Sequence, residues 1–141
     1  MEERTAPHSM EAEKSVLGAA LLSKDALYEV LEIVRTDDFY DTNHKEIFAA
    51  VSELSRKNAS VDALTVSEEL GRKNSLEIVG GRSYISSLPL ETPTTSNAGE
   101  YAKIVAEKAS LRRLIEVGDE VVTKGYDGDM DANQMLDYAE S

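Results

Sequence analysis

Apolar residues recur along this chain three and four positions apart, and nowhere alternate for long enough to read as a strand. The first helix opens at Ser9, its cap, with Glu11 and Glu13 set favourably against the helix dipole. Its apolar face uses Val16, Leu17, Ala20 and Leu21, and Gly18 and Ala19 keep one side thin enough for a neighbouring helix to approach. Leu27, Val30, Leu31 and Val34 share one face of a second helix, capped by Asp25. Asp37 to Tyr40 reads as a loop whose aromatics, Phe39 and Tyr40, plug the core. Ile47, Phe48, Val51 and Leu54 stripe a third helix that starts near Asn43 and stops at Asn58.

Ala59 to Leu64 reads as short and extended, and Thr65 with Glu68 fits a T-x-x-E capping box before a short helix through Leu70. Gly80-Gly81 breaks the chain, and Ser83 to Leu88 forms a further short helix carrying Tyr84 and Ile85. Ser86 to Asn97 holds two of the three prolines among many Ser and Thr, and reads as a hinge or crossover. Asn97 and Glu100 fit an N-x-x-E capping box opening a long helix to about Lys124, stopped by Gly125. Its stripe is Tyr101, Ile104, Val105, the stem of Lys108, Leu111, Leu114, Ile115, Gly118, Val121 and Val122. Asp131 caps a last helix using Met135, Leu136 and Ala139, which runs to the end without a stop signal, so the chain reads as part of a longer protein.

The expected fold is all-α: a compact multi-helix head over residues 1–96, its first eight a flexible arm, then a helical hairpin over 97–141 with a truncated second helix. A length of 141 residues suits one ordinary domain, or a small domain with an appendage. With no Trp and two Phe, the core must be aliphatic.

Charge narrows the function. A formal net charge of -12 opposes contact with nucleic acid, which needs Lys and Arg to displace counterions. It suits docking of a basic or mixed-charge protein instead. Absence of Cys excludes thiolate chemistry and fits a reducing cytoplasm. No apolar run approaches the roughly 18 residues of a membrane span, and the acidic, polar start is unlike a signal peptide. The chain therefore reads as cytosolic.

Motifs for chemistry are missing. No G-x-x-x-x-G-K-[ST] phosphate loop occurs in the 141 residues, and no Ser, His and Asp set stands out. Asp127, Asp129 and Asp131 resemble the opening of a calcium loop, but Ala132 and Tyr138 stand where that loop needs Gly and Glu. His8 and His44 have no Cys companions for a zinc site, and His44 is placed in the first turn of its helix or beside Phe39 and Tyr40. No catalytic, cofactor or metal site is expected.

Five landmarks stand in order: PHSMEAEKSVLGAALL from Pro7; DDFY at 37–40 with His44, Ile47 and Phe48; VDALTVSEEL at 61–70; GGRSYISSL at 80–88; and YAKIVAEKASLRRLI at 101–115. Together they resemble the N-terminal part of the bacterial replicative DNA helicase family, the DnaB type, over nearly the whole chain. That resemblance implies a helical head, a projecting hairpin that pairs with its like in a hexamer's collar, and docking of the primase C-terminal helicase-binding region. A helicase loader is a further implied partner. ATP, magnesium and strand unwinding belong to the family's RecA-type ATPase domain, whose motifs are absent here.

Two residue sets follow. A last helix of about ten residues cannot cover the long one, so Leu111, Leu114, Val121 and Val122 are expected either in a self-association interface or folded back on the head. The resemblance points to Glu11, Tyr84, Ile115 and Val121 for primase binding. Tyr84 reads equally as a docking anchor or as a core aromatic with its hydroxyl at the surface. Arg112 and Arg113 are a basic pair for a partner's acids, or a solvated face pairing with Glu116. Direct nucleic-acid binding by the head and a free-standing helical adaptor are the alternative functions.

Overall fold

A computed structural model describes residues 5–141. Among them are seven α-helices and no strand: α1 Met10–Leu22, α2 Lys24–Ile33, α3 Thr42–Arg56, α4 Ala63–Arg72, α5 Gly81–Glu91, α6 Ala98–Asp127 and α7 Ala132–Glu140, with a 3₁₀ turn at Thr36–Asp38. The all-α expectation holds. Two compact units form, one of His8–Ala109 and the other of Ser110–Ser141 with the segment ending at Pro7; the division falls inside α6.

Aliphatic packing closes the His8–Ala109 unit. Val16, Leu17, Val30, Ile47, Val51, Leu70, Ile85 and Leu88 are buried around Phe39 and Phe48, whose rings lie 4.9 Å apart. Gly18 is the contact point of α1 with α5. A methyl there would stand 1.8 Å from Thr92 Oγ1 and 2.4 Å from the Leu88 carbonyl oxygen, so only Gly permits this approach.

Helix ends follow local chemistry, with several corrections to the sequence reading. Ser9 caps α1, accepting from Ala12 N–H at 3.2 Å. The cap of α2 is Ser23 and not Asp25. One extended residue both ends α1 and starts α2, and its hydroxyl accepts from Ala26 N–H, leaving Asp25 inside the first turn. The α4 box is Asp62 with Thr65 and not Thr65 with Glu68. The Asp62 carboxylate accepts from Thr65 N–H at 2.8 Å, while the Thr65 hydroxyl accepts from Asp62 N–H at 2.9 Å. Glu68 is free to meet Arg82 of α5 at 2.5 Å. Asn58, with φ 59°, ends α3 as expected.

Helix α5 runs through Pro89 to Glu91, which narrows the expected crossover. A proline so near the end removes one donor only, and the Thr92 hydroxyl donates to the Leu88 carbonyl at 2.8 Å. Asn97 and Glu100 do not form a capping box. Glu100 turns to Lys103 at 3.6 Å, and Glu29 of α2 lies across Gly99, where a methyl would stand 1.9 Å from its carboxylate oxygen. A carboxylate in that first turn suits the dipole.

Helix α6 buries Ala98, Gly99, Ala102, Val105 and Ala109, a small-residue face, and Ile104 is exposed rather than inward. The helix stops at Gly128, with φ 72°, and not at Gly125.

Candidate functional site

Two features carry candidate function, one in each unit. In the His8–Ala109 unit, Glu13 and His44 are both 1% exposed. Glu13 sits one turn into α1 and faces the start of α3. Its Oε2 accepts from Tyr40 N–H at 2.7 Å and its Oε1 from Asp41 N–H at 3.3 Å. Asp41 in turn caps α3, accepting from the N–H groups of Asn43 and His44. That fixes the His44 ring between two partners: Nδ1 lies 2.8 Å from Glu13 Oε1, and Nε2 lies 2.6 Å from the Tyr84 hydroxyl.

Tyr84 is half-buried on α5. Gly80, with φ 113°, clears space behind it, because a Cβ there would come within 2.8 Å of Tyr84 Cβ. Burial, and then the negative charges of Asp41, Glu91 and Glu13, raise the phenol above its ordinary pKa. The chain Glu13–His44–Tyr84 thus joins α1, α3 and α5. It escaped the sequence reading because its members are 31 and 40 residues apart, and because an acid in a first turn reads as a dipole complement. The signal was an acid placed among the buried positions of α1. Tyr40, expected in the core, is at the surface and stacks on His8, ring centroids 4.0 Å apart.

In the other unit, α6 and α7 form a hairpin. Tyr138 of α7 bonds Glu120 of α6, and Lys124 lies over the Tyr138 ring at 5.2 Å. Asp131 caps α7 with Gln134 as its reciprocal partner. Met135 and Tyr138 are the half-buried residues of α7, while Leu136 and Ala139, expected on the inner face, are exposed. Arg112 donates to the Pro7 carbonyl at 2.7 Å, and Arg113 to the Ser110 hydroxyl. Of the arm expected at residues 1–8, the first four lie outside the described residues; Pro7 makes the contact just given.

The hairpin leaves an apolar stripe open. Leu111 is 40%, Ile115 49% and Val122 58% exposed, and with Gly118 they recur at i, i+4, i+7 and i+11. Leu114 is 66% exposed beside it, and Val121 is half-buried. Glu11 and Tyr84 lie in one unit and Ile115 and Val121 in the other. Glu11 is exposed and lines a shallow groove with Lys14, Ser15, Leu88, Glu91 and Pro93.

No group of three or more metal-binding side chains occurs among the described residues. None of the helices described is long and apolar enough to cross a membrane.

Fold and surfaces together define an all-helical domain that carries a buried Glu–His–Tyr chain and a hairpin with an uncovered apolar stripe. The family model described as "DnaB-like helicase N terminal domain" matches residues 5–107. The chain belongs to that family. It is 45% identical to the replicative DNA helicase DnaB of Mycobacterium leprae over 140 residues, covering 98% of this chain and 23% of that protein. The corresponding protein of Geobacillus stearothermophilus is 41% identical, with 98% of this chain and 30% of that protein covered. The chain thus spans less than a third of these relatives. The crystal structure of the N-terminal domain of DnaB helicase from Mycobacterium tuberculosis superposes with a TM-score of 0.91 at 46% identity, over 96% of both chains. A DnaB-like replicative helicase, described with its interactions with primase, shares the fold at a TM-score of 0.73 and 23% identity, over 82% of this chain and 27% of that one.

Proposed function

We propose that this chain is a non-catalytic interaction domain of a bacterial replicative helicase, working in the cytoplasm at the replication fork. It associates with its own kind through Leu111, Leu114, Val121 and Val122, and docks primase through Glu11, Tyr84, Ile115 and Val121. A helicase loader is a second candidate partner. ATP and magnesium act in an ATPase domain that these residues do not include. The role is positional: a collar holds primase near the emerging strand.

The observation that carries this reading is the uncovered stripe of Leu111, Ile115 and Val122; Gly118 lies within it, with open space where a methyl would stand. A stripe of this kind loses its apolar surface to water unless a second chain covers it. The primase assignment draws on the solved relative described with primase.

Titration of the domain with the C-terminal region of primase tests the partner. Saturable binding, weakened by Ile115→Asp or Tyr84→Ala, is expected. A folded, associated domain that does not bind would remove the claim. Direct nucleic-acid binding predicts instead a steeply salt-dependent affinity for single-stranded DNA, which the net charge of -12 opposes.

A further inference from the structure

Proton placement along Glu13, His44 and Tyr84 follows from the acceptors at its inner end. Both Glu13 oxygens receive backbone N–H groups, from Tyr40 and Asp41. Facing an oxygen that already accepts, His44 Nδ1 at 2.8 Å is a donor. In the neutral imidazole Nε2 is then the acceptor. At 2.6 Å the Tyr84 hydroxyl donates to it. With its hydrogen turned inward, the hydroxyl has only lone pairs left for any group that reaches it.

We propose that Glu13 and His44 are positioning residues that make the Tyr84 hydroxyl a hydrogen-bond acceptor toward a docked partner, and that the group it takes is an N–H of a lysine or arginine. Asp41, Glu91 and Glu13 all bear on the phenol, and the same negative field attracts a cation and repels an acid. The inference deepens the reading of Tyr84 as a docking residue and rests on it.

The tautomer is measured without any partner, by proton–nitrogen correlation spectra of the nitrogen-labelled chain. Wild type is expected to carry the proton on Nδ1. In Glu13→Gln the side-chain carbonyl keeps the bond from Tyr40, its NH2 faces Nδ1, and the proton is expected on Nε2, which turns the Tyr84 hydroxyl into an outward donor. Affinity for the primase C-terminal region is then compared across variants. Tyr84→Phe keeps the ring and its packing, and is expected to bind about tenfold more weakly, the size of a lost bond to a charged donor. Glu13→Gln, where folded, should weaken binding similarly while Tyr84 stays in place.

A wild-type proton on Nε2 overturns the proposal even if primase binds, and leaves the docking reading intact. An Nδ1 proton with Tyr84→Phe binding as wild type also overturns it. Failure of the wild-type domain to bind at all removes the docking reading, and the acceptor role with it.

Discussion

Glu13 and His44, 31 residues apart in the chain, meet at 2.8 Å with both side chains closed to solvent. The pair ties α1 to the start of α3, and its carboxylate also holds the turn that delivers Phe39 into the core. Glu13→Ala would remove the carboxylate that accepts from the Tyr40 and Asp41 N–H groups and from the buried Nδ1 of His44. Leaving a buried donor unsatisfied costs roughly 1–3 kcal/mol. Urea unfolding should show that loss as a lower midpoint with an unchanged slope.

Gly18 and Gly71 should respond oppositely to alanine. A methyl at Gly18 runs into Thr92 and the Leu88 backbone, whereas at Gly71 it meets nothing within 4 Å. Overpacking of this kind costs about 1–3 kcal/mol; an exposed helical Gly→Ala gains about 0.4–1 kcal/mol. Thermal melts of the two variants should move in opposite directions.

Asp62, and not Thr65 alone, caps α4. Asp62→Ala should cost about 1 kcal/mol, while Glu68→Gln should leave the cap untouched. Chemical denaturation separates the two.

Arg82, through its hydrogen bond and then its charge, holds the Glu68 carboxyl below 4.5. A carboxyl lowered in the folded state contributes stability above its unfolded value and loses it as the pH falls through the folded one. The link between α4 and α5 should therefore weaken at acid pH below 4.5 and not at neutral pH. In Arg82→Met, side-chain NMR titration should find Glu68 shifted upward; an unmoved titration would refute the pairing. The pair is exposed and should weaken with salt.

Much of the architecture was legible because helix periodicity is a local signal. Ser9, Asn58 and Asp131 announced their ends, and Val16, Leu17, Ile47, Phe48, Val51 and Leu54 announced the core. Neighbouring candidates for one role were harder to rank: Ser23 outcompetes Asp25, and Gly128 outcompetes Gly125, because only one of each pair takes the required backbone angles. Along α6 the large residues drew attention, yet Ala98, Ala102 and Ala109 face inward, since close helix approach selects small side chains there. Within the candidate site, the stripe from Leu111 to Val122 was legible as a pattern. The Glu13–His44–Tyr84 chain was not, because only the fold brings three distant polar residues together.

Sedimentation of the purified chain over a range of concentrations reports association of the hairpin stripe. Wild type should move from monomer toward a larger species as concentration rises. Val122→Asp, at a position 58% exposed and so tolerant in the monomer, should stay monomeric at the same concentrations with unchanged helical content. A wild-type chain that remains monomeric at high concentration, or a Val122→Asp variant that associates as wild type does, would rule out the stripe as an interface.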